Sequence, residues 1–146
     1  MAATIDAALF DTGRPVLVAP PTAPTTVGSR ILIAWNGSSQ ASRAVAFAMP
    51  FLEKAQEVTI AVGGHEGHVP AASLAVYLER HGIRAAVENF SVTGSIGKAI
   101  LDRAGRLGAD MIVMGAYGHS RLREMMLGGA TREVLSAATL PVLMAH

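Results

Sequence analysis

Gly115-Ala-Tyr-Gly118, followed by Gly128-Gly129-Ala130-Thr131, is a spacing of small residues suited to holding a phosphate. Glycine lets the backbone turn sharply at a strand end and leaves room for a ligand to come close. A glycine pair at a helix start offers N–H groups with no partner inside the helix, at the positive end of its dipole. The two features together make a phosphate cradle. A plain turn between strand and helix is the bland alternative, and Gly115, Gly118, Gly128 and Gly129 in one loop argue against it. His119 reads either as an exposed loop residue or as a donor to a phosphate. Arg121, Arg123 and Arg132 flank the loop, solvated or paired with Glu124 and Glu133, with one available to neutralise a triphosphate.

Other candidates carry less. Gly94-Ser-Ile-Gly97-Lys98 resembles a P-loop only faintly, because the motif's first glycine would fall at Val92 and Ala99 follows the lysine; a helix start is the better reading. His65-Glu-Gly-His68 is a glycine-rich loop without the further ligands a metal site needs. No Gly-x-Ser-x-Gly elbow, His-Glu-x-x-His or carboxylate cluster is present, and Ser38, Ser39 and Ser42 suit helix-cap roles. The chain therefore reads as a binding module and not an enzyme, with slow hydrolysis of a bound phosphate ligand as the most it would do.

The elements that must position the glycine loop alternate along the chain. Residues 20–29 form a stiff, exposed, proline-rich linker. Ile31–Trp35 is a strand, Asn36-Gly-Ser-Ser a turn and cap, and Ala41, Ala44, Val45, Ala48 and Leu52 recur at helical spacing. Val58–Val62 is the second strand, Pro70 opens a helix to Arg80, and Arg84–Val92 is the third strand. Ile96, Ile100, Ala104 and Leu107 mark a helix closed by Gly108. Asp110–Met114 is strand four, Gly129–Ala138 the last helix and Pro141–Ala145 strand five. The first, fourth and fifth strands are apolar throughout, as in a parallel sheet covered on both faces. The fold class is a doubly wound, three-layer α/β sandwich. Its ligands sit outside the carboxyl ends of the strands, where the winding reverses.

The chain of 146 residues has a net charge of +1, no cysteine and half its residues apolar, which suits one globular domain. No basic stripe marks a nucleic-acid or membrane binder. Disulfides and thiolate chemistry are excluded. The first residues lack a cationic secretory leader and no apolar stretch reaches the length of a membrane span, so the expected compartment is the cytoplasm.

One repeat is visible. Leu9-Phe-Asp-Thr-Gly-Arg-Pro15-Val-Leu-Val-Ala19 matches Leu135-Ser-Ala-Ala-Thr-Leu-Pro141-Val-Leu-Met-Ala145 in its leucine-to-proline spacing and in Pro-Val-Leu-x-Ala. It is either chance between two short apolar segments, or residues 1–19 are the last helix and strand of an upstream copy. A lone strand of that kind should add to a sheet edge.

Gly115-x2-Gly118-x9-Gly128 resembles the ATP-binding signature of the universal stress protein family, as do Met-Gly-Ala-Tyr-Gly-His-Ser, Leu-Pro-Val-Leu and Ile31–Ser38. The resemblance covers residues 30–146. It implies a five-stranded parallel sheet, order 3-2-1-4-5, of the Rossmann-like adenine-nucleotide type. It further implies ATP or AMP across the ends of strands one and four, with Mg2+ accompanying ATP. Ala34, Asn36, Val62 and Met114 would line the adenine and ribose, and Gly115 and Gly118 would admit ribose and phosphates. Gly128, Gly129, Ala130 and Thr131 would donate to phosphate oxygens. Two residues depart from the pattern. Gly129 stands where a Ser or Thr hydroxyl is usual, with Thr131 as a substitute, and Asn36 stands where Asp is frequent. The implied partner is a second module, in a homodimer or in tandem, paired through the 142–146 edge; the alternative is that residues 15–19 of the same chain cover that edge. The alternative function is a scaffold of the same fold with an empty pocket.

Overall fold

The computed structural model describes residues 2–64, 66–116 and 129–146. In chain order it runs α1 (Ala2–Asp11), β1 (Val16–Val18), β2 (Arg30–Ala34), α2 (Ser39–Leu52), β3 (Glu57–Gly63), α3 (Ala71–Arg80), β4 (Ala85–Phe90), α4 (Ile96–Leu107), β5 (Met111–Gly115), α5 (Ala130–Ala137) and β6 (Val142–Ala145). One sheet holds all six strands in the order β1-β6-β5-β2-β3-β4.

From β2 onward the strands are parallel and follow the 3-2-1-4-5 order expected when counted from β2. The five expected parallel strands are present, and a sixth is added at the edge. β1 joins β6 antiparallel, with Val16 opposite Met144, Leu17 opposite Leu143 and Val18 opposite Val142. The physical reason is that β6 offers a row of unpaired backbone groups, and three apolar residues with no sheet of their own satisfy them. The 142–146 edge expected to receive a partner chain is thus already filled from within.

Two apolar layers sandwich the sheet. Ile31, Ile33, Ile60, Val62, Val113 and Leu143 face α2 and α3. Leu32, Ala34, Ile112, Met114, Val142 and Met144 face α4 and α5, where Leu9 of α1 also packs. Burying each such side chain contributes roughly 1.5–3 kcal/mol. The continuous apolar runs are explained by this two-sided cover: Ile31, Leu32 and Ile33 are each 2% exposed or less.

Helix ends are fixed locally. Ser38 caps α2, its Oγ accepting the Ala41 N–H at 3.1 Å. Gly108 ends α4 in the left-handed conformation, φ 62°. Pro70 is the N-cap of α3, and since it has no capping side chain, Glu66 Oε1 accepts the Ala71 N–H at 2.8 Å instead.

At the amino-terminal rim of the sheet the linker is tethered by Asp110. Its Oδ2 accepts the Ser29 N–H at 3.1 Å and its Oδ1 the Arg30 N–H at 2.9 Å. Burial alone would raise this carboxyl; hydrogen bonds from the Thr26 side chain and from the Arg30 and Ser29 backbone outweigh it and hold it below 3.8. Because the folded value is depressed, the stabilisation is complete above a pH of about 4 and is lost as pH falls through the lower folded value. Asp110→Asn should therefore cost about 1 kcal/mol at neutral pH. The gap between wild type and variant, read from urea midpoints, should close below that pH.

Candidate functional site

The parallel neighbours β2 and β5 are paired over Ile31–Ala34 and Met111–Met114, and the chain leaves them toward opposite faces of the sheet. After β2 it enters α2, over the Ile33 and Val113 face; α5, which follows β5 in sequence, packs on the Leu32 and Met114 face. The carboxyl ends of two strands whose following helices lie on opposite faces are where open α/β sheets bind ligands, in the crevice outside those ends.

The β2 side of the crevice is rigid. Asn36 is exposed; its Oδ1 accepts the Ser38 N–H at 3.1 Å, and its backbone oxygen accepts the Gly67 N–H at 2.8 Å. With Oδ1 engaged, what the Asn36 side chain offers a ligand is its Nδ2 donors, which suit an anion. Gly37 has φ +71°, and a Cβ there would meet Gly67 N and Val69 O at 2.8 Å each. Trp35 Nε1 donates to Val69 O at 2.8 Å, so residues 66–70 are clipped across the turn that follows β2.

On the β5 side, Ala34 and Met114 are register partners on one face of the sheet. Val62 is not with them. Ala34 pairs with Ala61, so Val62 points to the opposite face, into the α2 and α3 layer. The structure therefore brings Ala34 and Met114 together beside the crevice and leaves Val62 out, 2% exposed.

Gly115 has a packing reason that its place in the motif did not reveal. A Cβ on it would lie 2.6 Å from Ala41 N and 2.8 Å from the Gln40 carbonyl carbon. The first turn of α2 rests on that glycine. The β5 ladder then runs one residue further, with the Ala116 N–H donating to Ala145 O at 2.8 Å. His146 Nδ1 lies 3.0 Å from Ala116 O, and Phe10 of α1 packs edge-on against the His146 ring at 4.5 Å.

The start of α5 has no side-chain cap. Gly129 is its N-cap, with no side chain to bond the first turn, and Gly129 and Ala130 are half-buried. Thr131 is 2% exposed, so its hydroxyl is turned into the protein and is not presented at the surface as a replacement for the missing Ser or Thr. Gly118, His119 and Gly128 lie outside the described residues, as do His65, Arg121, Arg123 and Glu124.

The Gly94–Lys98 segment is the start of α4, as its spacing suggested, and its anion position is taken. Glu133 of α5 reaches across to accept the Gly97 N–H at 2.9 Å on Oε2, and a Cβ on Gly97 would collide with that side chain. This contact was invisible in the sequence, since it depends on how α4 and α5 pack. Among the described residues there is no group of three or more His, Asp or Glu side chains able to hold a metal ion. None of their helices is long and apolar enough to cross a membrane.

Comparison with known proteins fits this geometry. The sequence profile of the Universal stress protein family matches residues 64–146. A universal stress protein of Synechocystis is 29% identical over 136 residues, covering 89% of this chain and 46% of that protein. The crystal structure of a universal stress protein from Archaeoglobus fulgidus superposes with a TM-score of 0.73 at 26% identity, covering 92% of this chain and 50% of that one. A universal stress protein solved in complex with cAMP superposes with a TM-score of 0.56 at 20% identity, covering 81% of this chain and 97% of that one. The chain thus spans about half the length of the Synechocystis and Archaeoglobus proteins.

Proposed function

The chain belongs to the universal stress protein family, and we propose that it binds an adenine nucleotide, ATP or AMP, in the crevice between β2 and β5. Binding would act through conformation or association in a stress response, with turnover at most slow. The observation that carries this reading is the start of α5. Gly129 leaves the first turn of that helix without a side-chain cap, and the exposed Asn36, whose Oδ1 is engaged by Ser38, has amide donors to offer. Backbone donors at a helix start are suited to phosphate. Ala34 and Met114 supply an apolar wall for a base, and the relative solved with cAMP holds an adenine nucleotide in the same fold.

Gly128, Gly129 and Ala130 are the proposed phosphate donors, with Gly118 and His119 proposed as further ligand contacts. Mg2+ would enter with the phosphates of ATP. Calorimetric titration with AMP and with ATP plus Mg2+ tests the proposal. Heat at micromolar ligand is expected. Silence up to millimolar ligand overturns it and favours the scaffold reading, for which the missing hydroxyl at Gly129 is the supporting feature.

We also propose that residues 1–19 correspond to the last helix and strand of an upstream module, 20–29 to a linker and 30–146 to the nucleotide-binding module. In support, α1–β1 and α5–β6 share their architecture, each helix separated from its strand by four residues, 12–15 and 138–141. A cytoplasmic setting is part of the same proposal.

A further inference from the structure

The face of the sheet opposite Ala34 and Met114 carries a cavity of its own. Between α2 and α3 a hollow of about 240 Å3 opens to solvent, lined by Trp35, Val45, Leu74, Val69, Tyr77 and the serines Ser42 and Ser73. Its floor is apolar and dry: Trp35, Val45 and Leu74 are each 5% exposed or less. Its mouth is not covered, since Val69 and Tyr77 are 39% and 42% exposed. An apolar cavity of roughly 150 Å3 is enough to hold benzene.

Two walls are fixed before any ligand arrives. Trp35 Nε1 donates to Val69 O at 2.8 Å, which ties floor to mouth and leaves the indole only its ring to offer. The Tyr77 ring is backed by His81, one turn further along α3, with centroids 4.8 Å apart. A preformed wall lowers the ordering cost of binding. Among the described residues no charged side chain lines the hollow, whereas Ser42, Ser73 and Tyr77 bring hydroxyls to it. A charged occupant would give up hydration with no counter-charge to replace it. A flat neutral ring with one hydrogen-bonding group would lose little, and apolar walls with a few polar groups are the usual make-up of a small-molecule site.

We propose that this hollow is a second ligand site, taking a neutral one- or two-ring aromatic molecule of the phenol or indole kind. It is separate from the nucleotide crevice, because Trp35 belongs to the α2 and α3 layer and Ala34 and Met114 to the other. The occupant is a small molecule because the volume holds one ring system. A mouth a few residues wide also falls well short of the about 800 Å2 that each partner buries in a standard protein interface.

The test uses 4-methylphenol as probe, titrated into the full chain and followed by the emission of Trp35, the chain's single tryptophan. Saturation with a Kd of about 1 mM or below is expected. 4-Methylbenzoate, similar in shape but ionised, should bind at least about 10-fold more weakly. Ser73 is exposed, so Ser73→Phe should fold as wild type and, by filling the mouth, weaken the phenol by about 10-fold or more. If it does not fold, Ser42→Leu on α2 decides the same point. AMP at millimolar concentration should leave the phenol titration unchanged. Failure to saturate, equal affinity for 4-methylbenzoate, undiminished binding by the folded variant, or displacement by AMP overturns the proposal. Self-association relieved by the probe would make a second copy the occupant and overturns it too. The phenol and AMP titrations are read separately, so the nucleotide reading can fail without this one.

Discussion

Replacing Ala130 by proline is expected to weaken ATP or AMP binding by roughly 10- to 100-fold while leaving the fold intact. Proline is favoured at the first position of a helix, where the lost N–H has no intrahelical partner. The preceding residue must be extended, and Gly129 already has ψ 165°. The substitution thus removes one main-chain donor and little else. A hydrogen bond to a charged acceptor contributes about 1.5–3 kcal/mol, which is the stated range in affinity. Titration calorimetry supplies the binding constant, and the far-ultraviolet spectrum and thermal midpoint should stay close to wild type. An unchanged affinity would remove the start of α5 from the site.

Gly37→Ala is expected to be the most damaging single methyl addition among the described glycines, lowering the unfolding free energy by about 2–5 kcal/mol. Two costs add. A left-handed φ costs a non-glycine residue about 1–2 kcal/mol. The new carbon would also meet backbone atoms of Gly67 and Val69 at 2.8 Å, and such overpacking costs about 1–3 kcal/mol. Gly64→Ala separates the two, because Gly64 has φ +85° but nothing within 4 Å of its added carbon. Urea denaturation should show the Gly37 variant losing clearly more than the Gly64 variant. Equal losses would mean that the clip across the β2 turn yields without cost.

The sheet was legible because its evidence is local. Met111–Met114 and Val142–Ala145 are unbroken apolar runs, and an apolar run of that length between turn signals has few alternatives in a chain that alternates strand and helix. Gly108 and Ser38 announced helix ends through their own conformational and capping chemistry. What escaped depends on register and on contacts distant in sequence. Val62 was grouped with Ala34 and Met114 by the family resemblance, but the face it points to is set by the pairing of Ala34 with Ala61. Gly115 was read as an opening for a ligand, although the space beside it is filled by Gln40 and Ala41. Thr131 carries a suitable hydroxyl, and only its position in the first turn of α5 shows that it is turned inward. The repeat in residues 9–19 was legible, and so were its need for an edge and the 142–146 edge as one it could cover; the register of that pairing required the sheet.

The bond from Gly97 to Glu133 makes one carboxylate serve two helices that meet from opposite ends of a 36-residue separation. Its negative charge offsets the positive end of α4 while it stands in the opening turn of α5. The field that draws an anion to α5 is therefore already partly neutralised by the protein itself, so affinity there must come from aimed N–H groups more than from bulk attraction. Fraying of α5 would also uncap α4, and amide exchange at the two helix starts should rise and fall in concert.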